Sequence, residues 1–135
     1  MPDTPTALEV AKQWFDQVWL QRDATAIHRL MTADVKGHME PDIAVNGPDS
    51  FLSVFNAFTS SFPDFELKVE DITGDDQQAC VRWRVSGTHS GSDMGLAATG
   101  RQVSFRGITW LTVKEGKIVE GWDSWNQGAL ISSLM

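Results

Sequence analysis

The sequence has no tyrosine and only one cysteine, Cys80. A single thiol cannot close an internal disulfide, so a packed core must hold the fold, and a reducing, cytoplasmic setting is expected. Basic residues are scarce: 11 Lys and Arg stand against 18 Asp and Glu, a net charge of −7. Nucleic acid and anionic membranes both need a basic surface, so neither is an expected partner. No apolar run approaches the ~20 residues of a membrane span. The opening MPDTPTALEV lacks the basic start and apolar stretch of a signal peptide. With no repeat, low-complexity tract or long linker, one domain over residues 1–135 is expected. Dinucleotide and P-loop glycine patterns and the GxSxG elbow are missing. The three histidines, His28, His38 and His89, show neither HxH nor HExxH spacing. No metal and no other cofactor is therefore expected.

What the chain does have is rings: six tryptophans and seven phenylalanines. That many large apolar side chains imply a thick core, a ring-lined pocket or an adhesive face. The first half reads as helices. Thr4–Pro5 and the pair Thr6/Glu9 offer helix starts, the latter a capping box. Leu8, Ala11, Phe15 and Val18 then recur at helical spacing beside Trp14 and Trp19, to about Gln21. Asp23 is placed to cap a short second helix that carries His28, a surface or packing residue. An extended piece from Val35 to Met39 follows. Asp49 is expected to cap a third helix with Phe51, Phe55, Phe58 and Phe62 on one face, ended by Pro63–Asp64.

From Phe65 the period changes to two. Strands are predicted from Phe65 through Val69, over Ala79–Thr88, Val103–Val113 and Lys117–Trp125, with turns at Gly74–Asp75–Asp76 and Glu115–Gly116. A short terminal helix is predicted from Gly128 to Leu134. Helices first and antiparallel strands after make an α+β fold, with helices on one face of a curved sheet. In KIVEGWDSW, strict alternation puts Ile118 and Trp122 on one face and Val119 and Trp125 on the other. Both faces are then apolar, so a homodimer through the sheet is expected.

Asp123 stands out in that strand, between Trp122 and Trp125. A carboxylate among indoles is costly to keep ionised. It either points to water or occupies a cavity where a raised pKa is useful. Arg82 and Arg84 flank Trp83 and share one face; turned inward, Arg82 is in a position to pair with Asp123 or hold an anion, and turned outward both are solvated. His38 and His89 are potential proton carriers. Cys80, within a strand, reads as an inert packing residue.

The segments FPDFELKVEDI, VRWRVSGTHSG, ATGRQVSFRGI and GKIVEGWDSWNQGALISSL together resemble the SnoaL-like polyketide cyclases, also called ester cyclases, of the nuclear transport factor 2-like superfamily. The resemblance covers most of the chain. It implies a cone-shaped curved antiparallel sheet packed on N-terminal helices around a cavity. It also implies an acid/base aspartate on the last strand, at the position of Asp123. The family's polar side chains midway along the preceding strand are replaced here by Gly107 and Thr109. Asn126 and Ser132–Ser133 depart from its usual ending. The implied activity is cofactor-independent: a proton is removed next to a carbonyl, then an aldol-type cyclisation or an isomerisation follows. Asp123, His38, His89 and Arg82 are the expected catalytic set. Trp14, Trp19, Trp83, Thr109 and Trp125 are the expected contacts to a small hydrophobic, carbonyl-containing ligand. Two other outcomes fit the same fold: a ligand-binding domain without turnover, and water addition to an epoxide.

Overall fold

The computed structural model describes residues 4–39, 43–92, 97–126, 130 and 134. Capping decides where the first helix begins. Of the two possible starts, Thr6 is used: its hydroxyl accepts from the Glu9 N–H at 3.2 Å, and the Glu9 carboxylate faces back to the Thr6 N–H at 3.5 Å. This helix, α1 (Ala7–Trp14), continues as a wide π-helical turn over Phe15–Leu20, closed by the Gln21 N–H on the Asp16 carbonyl. Side chains five apart stay close to one face in such a turn. Trp14 and Trp19 are therefore both presented inward, which an α-helix would not allow.

Arg22 ends this segment at a φ of 57°. Its guanidinium lies 4.2 Å from the centre of the Phe65 ring and donates to the Pro63 and Phe65 carbonyls, tying the first helix to the chain leaving the third. In the next helix, α2 (Thr25–Leu30), the Asp23 carboxylate accepts from the Thr25 N–H at 3.0 Å. The third helix, α3 (Pro48–Ser61), buries Phe51, Phe55 and Phe58. Its cap differs from expectation. Gly47 occupies the position with φ 89°, and Asp49 lies within the first turn, where its carboxylate meets His28 Nε2 at 2.7 Å.

Six strands follow the order β2-β1-β6-β5-β4-β3. They are β1 (Met31–Met39), β2 (Ile43–Asn46), β3 (Glu66–Gly74), β4 (Gln78–Thr88), β5 (Gln102–Lys114) and β6 (Lys117–Trp125). The sheet is curved and open, and the helices cover one face. Two points correct the expectation. The extended piece is a full strand with a partner, β2. The sheet is mixed, because β1 runs parallel to β6. Strand β1 enters from α2, so no hairpin turn imposes an antiparallel direction on it. The predicted terminal helix over 128–134 lies largely outside the described residues. Among the described residues, no helix is long and apolar enough to cross a membrane.

A third correction concerns β6. Lys114 pairs with Lys117 and Val113 with Ile118, yet Thr112 pairs with Glu120. Val119 is thus an extra residue, a β-bulge, and the alternation restarts beyond it. Ile118 is fully buried, and Gly121, Asp123 and Trp125 share its side of the sheet, around one cavity. Trp122 points the opposite way, so Ile118 and Trp122 do not share a face.

The Glu115–Gly116 loop has positive φ at both positions, 53° and 79°, as a two-residue type I′ hairpin demands. Gly116 accepts this freely, while Glu115 does so at a cost. Glu115→Asn, which suits the left-handed conformation, should stabilise the protein by about 0.5–1 kcal/mol in urea unfolding. An unchanged or lower midpoint contradicts the strain.

Candidate active site

The helices and the inner face of the sheet do not close on each other. Between them lies a cavity of about 410 Å³, at the small end of the ~300–1,000 Å³ usual for small-molecule sites. Trp14, Phe15 and Trp19 wall it from the first helix, Phe51, Val54, Ala57 and Phe58 from α3. The sheet adds Trp83 and Val85 from β4, Phe105, Thr109 and Leu111 from β5, and Ile118, Gly121, Asp123 and Trp125 from β6. Trp19 is the hub of the helical wall, with ring centres of Phe51, Phe55, Phe58 and Phe65 at 5.4–6.1 Å. Phe105 stands edge-on between Trp83 and Trp125, at 6.1 and 5.7 Å. Edge-to-face pairs of this kind fix ring positions beyond what area burial alone would do.

Asp123 is the one carboxyl on this wall among the described residues. Its cross-strand neighbour is Thr109, whose buried hydroxyl donates to Asp123 Oδ1 at 2.5 Å. Asp123 is half-buried, and its partial withdrawal from water among the rings raises its pKa from 3.8 to about 6, against the smaller lowering effect of the Thr109 hydrogen bond. The Thr109 oxygen in turn accepts from Trp83 Nε1 at 2.9 Å. Trp83 can reach it because its ring lies over Gly107, its direct partner on β5. A Cβ at position 107 would fall 2.3 Å from the indole. The space beside the small residues Gly107 and Thr109 on β5 is therefore filled by a tryptophan from the neighbouring strand. No sequence signal points to this contact, because it depends on strand register. The indole N–H of Trp125 is buried and has no partner among the described residues.

The structure gathers Asp123, Trp14, Trp19, Trp83, Thr109 and Trp125 around one space. The other three expected site residues lie elsewhere. Arg82 is on the outer face, where it shares Glu70 with Arg84 and Arg106 at 3.8–4.0 Å. It is even-numbered on a strand whose odd residues Val81, Trp83 and Val85 are buried, so it cannot meet Asp123. His38 is also outside, stacked on Trp122 at 5.4 Å and paired with Glu120 at 2.7 Å. His89 is buried but apart from the cavity, packed on Phe62, with Nδ1 accepting from the Thr99 N–H at 3.3 Å. It anchors the loop that follows β4. Lys36, an exposed residue, is the one cation on the cavity lining among the described residues. Among the same residues, no three His, Cys, Asp or Glu side chains gather into a metal-binding group.

Residues 9–134 match the family model for SnoaL-like polyketide cyclase. No curated protein matches the sequence. Among solved structures, a candidate SnoaL-like polyketide cyclase from Jannaschia sp. CCS1 superposes with a TM-score of 0.89 at 21% identity, over 99% of this chain and 94% of that one. AclR from Streptomyces galilaeus, a candidate hydroxylase, gives 0.81 at 27% identity over 96% and 82%. A SnoaL-like polyketide cyclase from Agrobacterium tumefaciens C58 gives 0.78 at 17% identity over 97% and 99%.

A carboxyl whose folded pKa lies above its unfolded value holds its proton more tightly in the native state. The contribution of Asp123 to stability therefore falls as pH rises from about 4 to about 6, by roughly 3 kcal/mol for this shift, and that contribution is level outside the window. Asp123→Asn, which keeps the acceptor for Thr109, should be more stable than wild type in urea at pH 7 and equal to it at pH 4. An equal midpoint at both pH values contradicts the buried carboxylate.

Proposed function

Because the chain belongs to the SnoaL-like polyketide cyclase family, we propose that it is a cofactor-independent acid/base catalyst acting on a hydrophobic carbonyl compound, with Asp123 as the base. One observation carries this reading: a carboxyl with a pKa raised to about 6, the one acid on the lining among the described residues, stands on the wall of a largely apolar, ring-lined cavity. In the proposed step, the C–H bond beside a carbonyl breaks and its proton passes to Asp123. The electron pair moves into the enolate. The enolate carbon then attacks a second carbonyl of the same molecule, and the new alkoxide takes the proton back from Asp123; reprotonation at another carbon gives an isomerisation instead. A base matched to neutral pH contributes roughly 10²- to 10⁴-fold to such a step.

The lining also favours a class of substrate. Apart from Lys36, the described lining offers no cation to an enolate oxygen. A substrate whose enolate is delocalised over further carbonyls or an aromatic ring needs least help of that kind, and flat apolar rings suit the tryptophan walls. Epoxide hydration is less well supported. It needs polar groups around a water, and Asn46 and Asn56 are not on the lining. A binding domain without turnover shares the cavity, and Asp123 separates the two readings.

Deuterium exchange into aromatic β-ketoesters, followed by proton NMR, gives the test. Wild type should exceed the buffer rate, with kcat/KM rising with pH to a plateau above about 6 as the carboxylate forms. Asp123→Asn should lose roughly 10²- to 10⁴-fold while ligand affinity holds. A wild-type rate at the buffer level, or exchange retained by Asp123→Asn, contradicts the proposal.

We also propose that the outer sheet face receives a second copy of the chain. Ile108, Trp110 and Trp122 are 48%, 45% and 39% exposed on adjacent strands, in a chain whose other large rings are mostly buried. On one flank Arg82, Arg84 and Arg106 crowd a single carboxylate, Glu70; on the other lies Glu120. A two-fold pairing that sets the surplus arginines of one copy near the His38–Glu120 pair of the other is self-complementary. Sedimentation should give a dimer at micromolar concentration, and Trp110→Glu should give a folded monomer. A monomeric wild type, or a Trp110→Glu dimer, refutes the pairing.

A further inference from the structure

The hydroxyl of Thr109 has one proton and two close partners. Trp83 Nε1 is 2.9 Å from it, and Asp123 Oδ1 is 2.5 Å from it. An indole N–H can only donate. The Thr109 oxygen therefore accepts from Trp83, and with the carboxyl ionised, and so able only to accept, the Thr109 proton goes to Asp123. The chemistry of the three groups fixes the direction of the chain in the ionised state that acts as a base. A threonine hydroxyl engaged in this way has no proton left to donate to a ligand, although the residue lines the cavity.

The geometry points to Thr109 as the positioning residue of the site: it pins Oδ1 of Asp123 as an acceptor and leaves Oδ2 as the oxygen that exchanges a proton with the ligand. Oδ2 has no hydrogen-bond partner among the described residues. Protonation at Oδ2 keeps both hydrogen bonds in the acid form, whereas a proton on Oδ1 would turn the Thr109 proton away from its one acceptor among the described residues. Trp83 supports the arrangement by holding the threonine rotor, and Gly107 makes room for Trp83. The donated hydrogen bond also opposes the effect of burial, keeping the carboxyl from rising further. This inference rests on the acid/base reading of Asp123 and assigns Thr109 a role within it, in place of ligand contact.

Carbon-13 NMR of aspartate-labelled protein, with the Asp123 signal identified by its loss in Asp123→Asn, tests the assignment without any substrate. In Thr109→Val the midpoint should rise by roughly 0.5–1 pH unit. Thr109→Ser should return it to the wild-type value. A Thr109→Val midpoint equal to wild type in a folded protein overturns the inference. Should Thr109→Val not fold, the wild-type Thr109 hydroxyl proton decides the matter. Its resonance should move downfield as Asp123 ionises, and a resonance indifferent to that titration overturns the inference. In the exchange assay with an aromatic β-ketoester, Thr109→Val should lower the maximal rate and leave the half-saturating concentration unchanged. A raised half-saturating concentration with an intact rate makes Thr109 a ligand contact and refutes the positioning role. If Asp123→Asn retains exchange, the acid/base reading fails, whereas the NMR midpoints still judge Thr109.

Discussion

The extra residue at Val119 decides which side of the sheet the last strand gives to the cavity. Ile118 must be buried, since it is fully enclosed where β6 meets β5 and β1. With strict alternation, Glu120, Trp122 and Ser124 would follow it inward, and Asp123 would face out beside the arginines. One bulged residue reverses that. It lets the strand keep Ile118 in the core, turn Asp123 and Trp125 inward, and place Trp122 next to Trp110 on the outside. Every property of the site follows from that change of phase: the burial of the carboxyl, its pairing with Thr109, and the apolar outer face.

Once inside, Asp123 is subject to two opposing influences. The tryptophan and phenylalanine walls withhold water and favour the neutral acid, while the Thr109 hydroxyl favours the anion. The first is stronger, which leaves the group ready to change charge close to neutral pH. Rigidity matters as much as polarity here. Phe105 braces Trp83 and Trp125, and Trp83 fixes the threonine, so the carboxyl is aimed by a set of rings that cannot easily turn. The cavity is thus a property of large side chains that meet edge-on and stop short of filling the centre.

Much of this was legible in the sequence. The capping box at Thr6 and Glu9, the phenylalanine stripe of α3, the long strands and the Glu115–Gly116 turn all follow from local rules, and they appear where those rules put them. Strand β2 was not legible, being four residues long and paired only with β1. The register was the larger omission. Counting back from the turn sets Thr109 opposite Trp122, one residue out, because Val119 carries no local mark of a bulge. That same count hides the Trp83–Thr109–Asp123 chain. Arg82 and His38 were ambiguous for a related reason: a strand's period of two says which residues share a face, but not which face is covered. His89 shows a different limit, a buried histidine whose partners are Thr99, across the loop it opens, and Phe62, at the end of α3.

The account depends on one half-buried carboxyl being largely shielded from water by aromatic walls. The most direct measurement is the ionisation midpoint of Asp123 in the ligand-free wild-type protein, followed by difference infrared spectroscopy against Asp123→Asn. The account predicts a midpoint near 6. A midpoint near the ordinary aspartate value of about 4 contradicts it.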